Sequence, residues 1–276
     1  MNENELVVKK WHKLFPCLFI TLFLFSGCVS SAKYSTLSLH TKRADDNEHI
    51  LFGYPGHERI ILYRKGYVLG YNPEKKLADW VSYHFTDIYC VRNVGRTEDF
   101  RPDPDLIPGQ RAELEDYKGS GYDRGHLAPA ADMARDVQTM SESFLLSNMT
   151  PQVGVSFNRG IWKKLEEKVR DWVLQRKNIY VFTGPIFSDP RHYNTIGPNK
   201  VAVPTHFYKI IVSCTETGED IDAMAFILPN QKNSDNKLPQ FITTINEIEK
   251  LTGLDFMYEL DDNIEGKLES KKARMW

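Results

Sequence analysis

Strand-like stretches outnumber helical ones in this chain and do not alternate with them, and this order limits the fold more than any other feature. Arg59 to Leu69 (split by Gly66), Trp80 to Val91, Ile179 to Phe182, Phe207 to Ser213 and Ala223 to Leu228 are short and rich in β-branched and aromatic residues. In the second of them Val81, Tyr83 and Phe85 alternate with polar partners. Two helices are expected. Ile161, Trp162, Leu165, Val169, Trp172 and Val173 recur at helical spacing, and Pro239 to Thr252 puts Phe241, Ile242, Ile245, Ile248 and Leu251 on one side. The order predicts an α+β fold with a mostly antiparallel central sheet, not a doubly wound parallel one.

The ends of the chain differ in kind from its middle. Lys9, Lys10, His12 and Lys13 precede an apolar run of about a dozen residues from Leu14 to Phe25, too short for a membrane span, which takes ~20. Small residues close it at Ser26, Gly27 and Cys28, so residues 1–27 read as an export signal. Phe25-Ser26-Gly27-Cys28 is similar to the lipobox of bacterial lipoproteins, which implies a lipid on Cys28 and anchoring to the cell envelope. Cleavage to a periplasmic or extracellular product is the alternative. Residues 28–47 are polar and aperiodic, as in a tether. The domain is expected over residues 48–265, and residues 266–276 form a short basic tail, expected to fray.

Charge narrows the classes of partner. With 35 Lys+Arg against 37 Asp+Glu the net charge is −2, so polyanion binding would need a local basic patch. With Cys17 in the signal and Cys28 lipidated, Cys90 and Cys214 remain, either bonded or as two thiols. The lack of a CxxC pair excludes a zinc ribbon or a thioredoxin-type site.

The chemistry concentrates between residues 92 and 177. Gly119-Ser120-Gly121-Tyr122-Asp123-Arg124-Gly125-His126 has GxGxxxG spacing, one residue too long for a dinucleotide loop, and Leu127-Ala128-Pro129 stands where a helix would start. What remains is a histidine delivered by a flexible turn between an acid and a guanidinium, which suits a general base near neutral pH or, alternatively, a purely structural Asp-Arg turn. Ser147-Asn148-Met149-Thr150-Pro151-Gln152 and Phe157-Asn158-Arg159-Gly160 lead into the amphipathic helix that carries Glu166 and Arg170 at i,i+4 spacing. A neutral amide oxygen at a helix entrance suits a hard, hydrated cation such as Mg²⁺, although Asn is also a common helix cap. The long Arg92 to Gly121 loop, rich in Pro, Gly and Asp, has the length of a functional loop.

Asp123-Arg124-Gly125-His126 with Ala128-Pro129-Ala130, Leu146-Ser147-Asn148 with Pro151-Gln152, Phe157-Asn158, Trp162, Leu165-Glu166 and Thr183-Gly184-Pro185 together resemble the DNA/RNA non-specific endonucleases, which include mitochondrial endonuclease G. The resemblance runs from about Trp80 to Pro229. It implies a ββα-metal core on a six-stranded antiparallel sheet, with one Mg²⁺ for which Mn²⁺ can substitute. It makes His126 the general base and Asn158 the sole direct protein ligand of the metal. Asn148 positions His126 or the substrate, Glu166 holds a water on the ion, Arg170 contacts phosphate, and Asp123 and Arg124 belong to the site signature. A further phosphate-binding arginine is implied upstream; Arg96 fits best by its distance from Phe100 and Asp103, with Arg92 and Arg101 as neighbours.

Phosphodiester hydrolysis requires an activated water, stabilised phosphate oxygens and help for the departing oxygen, which a neutral imidazole, arginines and a metal ion provide between them. Asn158 to Lys177 is the densest basic stretch, and no motif for reading bases accompanies it. DNA and RNA are therefore the expected substrates, with contacts to the backbone. A catalytically silent polyanion-binding lipoprotein and a metal-dependent hydrolase of another phosphoester or a cell-surface polymer are the rival readings. Oligomeric state is not legible.

Overall fold

A computed structural model describes residues 47–56, 60–215, 220–232 and 237–276. The expected export signal, Cys28 and nearly all of the tether lie outside the described residues. In chain order the first half forms β1 (Ile60–Tyr63), β2 (Val68–Asn72), β3 (Leu77–Thr86), α1 (Leu114–Tyr117), β4 (Tyr122–His126), α2 (Val137–Glu142) and β5 (Met149–Val153). The second half forms α3 (Lys163–Arg176), β6 (Asn178–Ile186), β7 (Thr195–Ile196), β8 (Val201–Ala202), β9 (His206–Ser213), β10 (Asp222–Pro229), β11 (Ile242–Thr243), α4 (Ile245–Thr252) and α5 (Asp262–Ser270).

The main sheet has seven strands in the order β1-β2-β3-β6-β9-β10-β11, every neighbouring pair antiparallel, one strand more than the expected six. The addition is β11, two residues paired with Ala225 and Phe226. It lies inside the segment expected as one helix from Pro239 to Thr252. Pro239 opens a 3-10 turn over Leu238–Phe241, and α4 begins only after Thr244, whose hydroxyl accepts from the Glu247 amide at 3.2 Å. Gly253, at φ 73°, ends that helix in the left-handed conformation.

Both faces of the sheet are covered. On one, Leu165, Val169, Trp172 and Val173 of α3 pack on Val81, Tyr83, Phe207, Ile211 and Phe226. On the other, Ile245 and Ile248 of α4 and Leu268 of α5 pack on Trp80, Phe182, Tyr208 and Ile210. A strand buried on both faces needs an apolar residue at nearly every position, which explains the mostly apolar runs in β6, β9 and β10, broken by Thr183 and Lys209. Trp276 carries the chain back to the α3 face. Its ring packs edge-on to Trp172 at 5.8 Å, and its Nε1 donates to Asp222 at 2.8 Å. The C-terminal residues are thus docked, not frayed, and α5 crosses position 265, where the domain was expected to end. Cys90 and Cys214 are separate thiols, the first half-buried and the second buried.

Candidate active site

Two elements at the site were missed in the sequence. His126 ends a strand, β4, not a flexible turn, and β4 pairs antiparallel with β5 so that His126 faces Met149, Gly125 faces Thr150 and Asp123 faces Gln152. Both strands are short, lack period-two patterning, and contain Gly125 and Pro151, so pattern reading passes over them. Gly125 is required by packing: a Cβ there would lie 2.1 Å from Gln152 Cδ. After β5 the chain makes a wide helical turn, Gly154–Trp162, broken at Gly160 (φ −120°, ψ −109°), before α3 begins. Ile161 and Trp162, expected inside the helix, sit in that turn. Two strands, a turn carrying Asn158 and a helix carrying Glu166 and Arg170 make a ββα unit beside the main sheet.

These elements enclose a cleft of about 470 Å³. It is lined by His126 and Arg124 from β4, Asn158 and Arg159 from the turn, Lys163, Glu166, Glu167 and Arg170 from α3, and Arg92 and Arg96 from the long loop. Six cations, Arg92, Arg96, Arg124, Arg159, Lys163 and Arg170, stand against two carboxylates, so the cleft is positive on a slightly acidic chain. The basic face is narrower than the charge run from Asn158 to Lys177 suggests. Lys168 pairs with Asp171 at 2.7 Å, Arg176 with Asp222 at 3.6 Å and Lys177 with Asp87 at 2.9 Å, all away from the cleft.

The His126 imidazole is wedged edge-on between Phe144, 5.0 Å away, and Phe100, 5.7 Å away, and its Nε2 is buried with no hydrogen-bond partner. Burial, reinforced by the charges of Arg96 and Arg124, pushes its pKa down to about 3. A neutral ring is therefore favoured well below the ordinary histidine range. Phe100 was not expected at the site. It is presented by the Arg92–Gly121 loop and also carries the Arg124 guanidinium 4.0 Å from its ring centroid. That loop is pinned from beneath by the fully buried Asp103, which accepts two bonds from Arg64 Nη2 at 2.7 Å and one from Ser147 Oγ at 2.5 Å.

Asn158 donates from Nδ2 to Asp123 Oδ2 at 3.0 Å, and Arg159 Nε bonds the same oxygen at 2.9 Å. With its amide nitrogen committed to a carboxylate, Asn158 has Oδ1 left to accept or to coordinate. Asp123 is thereby a positioning residue for Asn158 and Arg159. Glu166 is half-buried, and burial pushes its pKa up to about 7, with Asp132 adding to the rise and Lys209, Arg170 and Arg96 opposing it. Arg170 Nη1 donates to Asp132 Oδ1 at 2.7 Å, and Tyr83 donates its hydroxyl to Asp132 Oδ2 at 3.0 Å. No motif marks Asp132; only the fold brings it under Arg170.

Asn148 is fully buried and does not line the cleft. Its Nδ2 donates to the carbonyls of Ala128 and Ser143, both at 2.9 Å, and its Oδ1 accepts from the Ala128 amide at 2.9 Å. It fixes the backbone just past His126 from outside the cleft lining. Of the three upstream arginines, Arg92 and Arg96 reach the cleft. Arg101 is tied to Asp99 and the Ser141 carbonyl instead, at 2.9 and 3.0 Å.

The donor set fits a hard divalent cation: one amide oxygen, a carboxylate within the same cleft, and arginines for the anionic ligand such an ion would share. Among the described residues the one cluster of three acidic or histidine side chains with converging ligand atoms, Glu249, Asp255 and Glu269, belongs to α4, α5 and the segment between them, outside this cleft.

The family model described as DNA/RNA non-specific endonuclease matches residues 45–263. Nuclease C1 of Cunninghamella echinulata var. echinulata is 41% identical over 237 residues, covering 81% of this chain and 93% of the relative. Human mitochondrial endonuclease G is 37% identical over 218 residues, 75% of this chain and 72% of the relative. A chain of the solved EndoG/EndoGI complex superposes with a TM-score of 0.71 at 34% identity, covering 76% of this chain and 90% of that one. The fold is that of a ββα-metal nuclease, a hydrolase acting on nucleic acids. This chain belongs to the DNA/RNA non-specific endonuclease family.

Proposed function

We propose that the protein is an exported, Mg²⁺-dependent endonuclease that hydrolyses DNA and RNA with little sequence preference, using His126 as general base. The observation that carries this reading is the convergence of a neutral histidine, an amide oriented by Asp123 and a set of arginines on one cleft. In the reaction, Arg170 and Arg124, with Arg96 or Arg92, hold the phosphate and favour the charge that develops on its oxygens. His126 takes a proton from the attacking water as the new P–O bond forms and the bond to the departing oxygen breaks. Asn158 Oδ1 would hold the cation directly, with Glu166 holding a water in its shell. When bound, such a cation would supply charge neutralisation at the phosphate and acidity at the leaving oxygen. Lining cations without a base-reading element account for contacts to backbone alone.

Incubating the purified chain with supercoiled plasmid and with RNA, in Mg²⁺ and in EDTA, tests the reading. Cleavage of both that EDTA abolishes supports it, and binding without cleavage would favour a silent polyanion binder. Export with lipid on Cys28 rests on residues 1–28 alone. Membrane fractionation of Cys28→Ser, expected to release a soluble form or leave a precursor, tests that part separately.

A further inference from the structure

Lysine is among the residues least expected at the centre of a sheet covered on both faces, because an unpaired buried ammonium costs several kcal/mol. Lys209 nevertheless stands on β9 between Thr183 of β6 and Phe226 of β10, with no exposed surface and no hydrogen bond to its Nζ. The Nζ lies 4.7 Å from the centroid of the Trp162 ring, and the indole face offsets part of the desolvation. Trp162 closes the turn that carries Asn158 and leads straight into α3. Glu166 is four residues further on and Arg170 four beyond that, so all three share one face of the helix. Charge alternates along the wall: Lys209 positive, Glu166 negative, Arg170 positive, Asp132 negative.

The groups acting on Glu166 are Lys209 from β9, Arg170 from its own helix, Arg96 from the long loop and, with like charge, Asp132 from the segment after β4. Arg170 is already bonded to Asp132, and Arg96 to Glu98 at 2.6 Å. Lys209 Nζ makes no hydrogen bond to any carboxylate, Glu166 included, so the two charges act on each other through space. Burial draws the Lys209 ammonium down to about 8, against the pull of Glu166 and Asp132, so it remains charged at neutral pH.

We infer that Lys209 is a positioning residue for the active site: its buried ammonium, held beneath Trp162, is the counter-charge that keeps Glu166 ionised in the cleft wall. This rests on the reading of Glu166 given above, and its mechanical basis is the stacking of β9, Trp162 and the first turns of α3.

The test is Lys209→Met, which keeps the volume and removes the charge. Following the Glu166 carboxyl by ¹³C NMR in EDTA, the midpoint should move up from about 7 by about one unit or more, roughly a fivefold loss of carboxylate at pH 7. The acid limb of the plasmid-cleavage profile should move the same way, with rate recovered toward pH 9. An unmoved Glu166 titration, or a rate lost equally at every pH, would overturn the inference. Failure of the wild type to cleave nucleic acid would sink the functional reading, while the NMR titration would still measure the pair. Should Lys209→Met not fold, Glu166→Gln reads the pair from the other side. Deprived of its counter-charge, the ammonium should make that variant lose Tm relative to wild type as pH falls from 9 to 7.5, whereas a constant difference would refute the coupling.

Discussion

The side-chain amide of Asn158 is anchored on Asp123 across a 3.0 Å hydrogen bond, so the residue expected to hold the metal is oriented by a residue 35 positions earlier in the chain. The carboxylate lies on β4, three residues before His126, and thereby ties the base and the ligand to one rigid strand. Asp123→Ala should release both Asn158 and Arg159. The expected result is a 10–100-fold loss in Mg²⁺ affinity or rate, typical of losing the partner of a metal ligand, with little change in Tm. A Mg²⁺ titration of plasmid nicking measures it, and an unchanged midpoint would show that Asn158 orients itself.

His126→Ala should lower the cleavage rate at least ~10²-fold while nucleic-acid binding persists, since a positioned base contributes 10²–10⁴. The wild-type ring should show no NMR titration between pH 8 and 5, because burial and the two arginines hold its pKa at about 3. The folded-state value lies below the unfolded one. The unfolded chain therefore takes up the proton first, and stability should fall as pH drops from about 6.5 toward 3. His126→Gln should flatten that part of the stability curve. A ring that titrates near 6.5 would contradict the packing described between Phe100 and Phe144.

Asn158→Ala should abolish most activity without unfolding the chain. Asn158→Asp keeps an oxygen in place and adds charge, so metal-dependent activity should partly survive. It also sets a second carboxylate against Asp123, so its activity should depend more steeply on Mg²⁺ concentration. Normal cleavage by Asn158→Ala at low Mg²⁺ would reduce the residue to a structural member of the turn.

Asp132→Ala leaves Arg170 without its buried partner and Tyr83 without its acceptor. Removing one side of such a pair costs ~3–5 kcal/mol, so the urea midpoint should fall clearly, and substrate KM should rise as Arg170 loses its aim. Stability equal to wild type would show that the pair is dispensable.

Gly125→Ala places a methyl group into the Gln152 side chain, which is fully buried. Overpacking of this kind costs ~1–3 kcal/mol, and here the strain would fall on the β4–β5 pairing that aims His126. Both Tm and rate should drop, and Gln152→Ala in the same chain should restore part of each.

Legibility in the sequence followed the physical range of each signal. The strands of the main sheet are buried on both faces, so nearly every position is apolar and the runs announce themselves. The site strands lie outside that sheet, are five residues each, and expose part of their surface, so no period marks them. The candidate site residues stand in the sequence as types in an order, Asp123 to His126, Asn158 and Glu166, which the family resemblance picks out. Their supporting groups, Asp132, Phe100 and Lys209, are single residues without a pattern.

By itself, then, the sequence determined the α+β class, the apolar layers and the helix that carries Glu166 and Arg170. These follow from local periodicity and from residue chemistry. Only the tertiary structure decided that Asp123 bonds Asn158, that Arg96 and Arg92 rather than Arg101 reach the cleft, that Asn148 bonds backbone outside the cleft lining, and that burial lowers the His126 pKa. Each of these depends on distance between segments far apart in the chain and on the water excluded between them. Hydrogen-bond partners and pKa shifts are set by packing, and packing has no signature in one dimension.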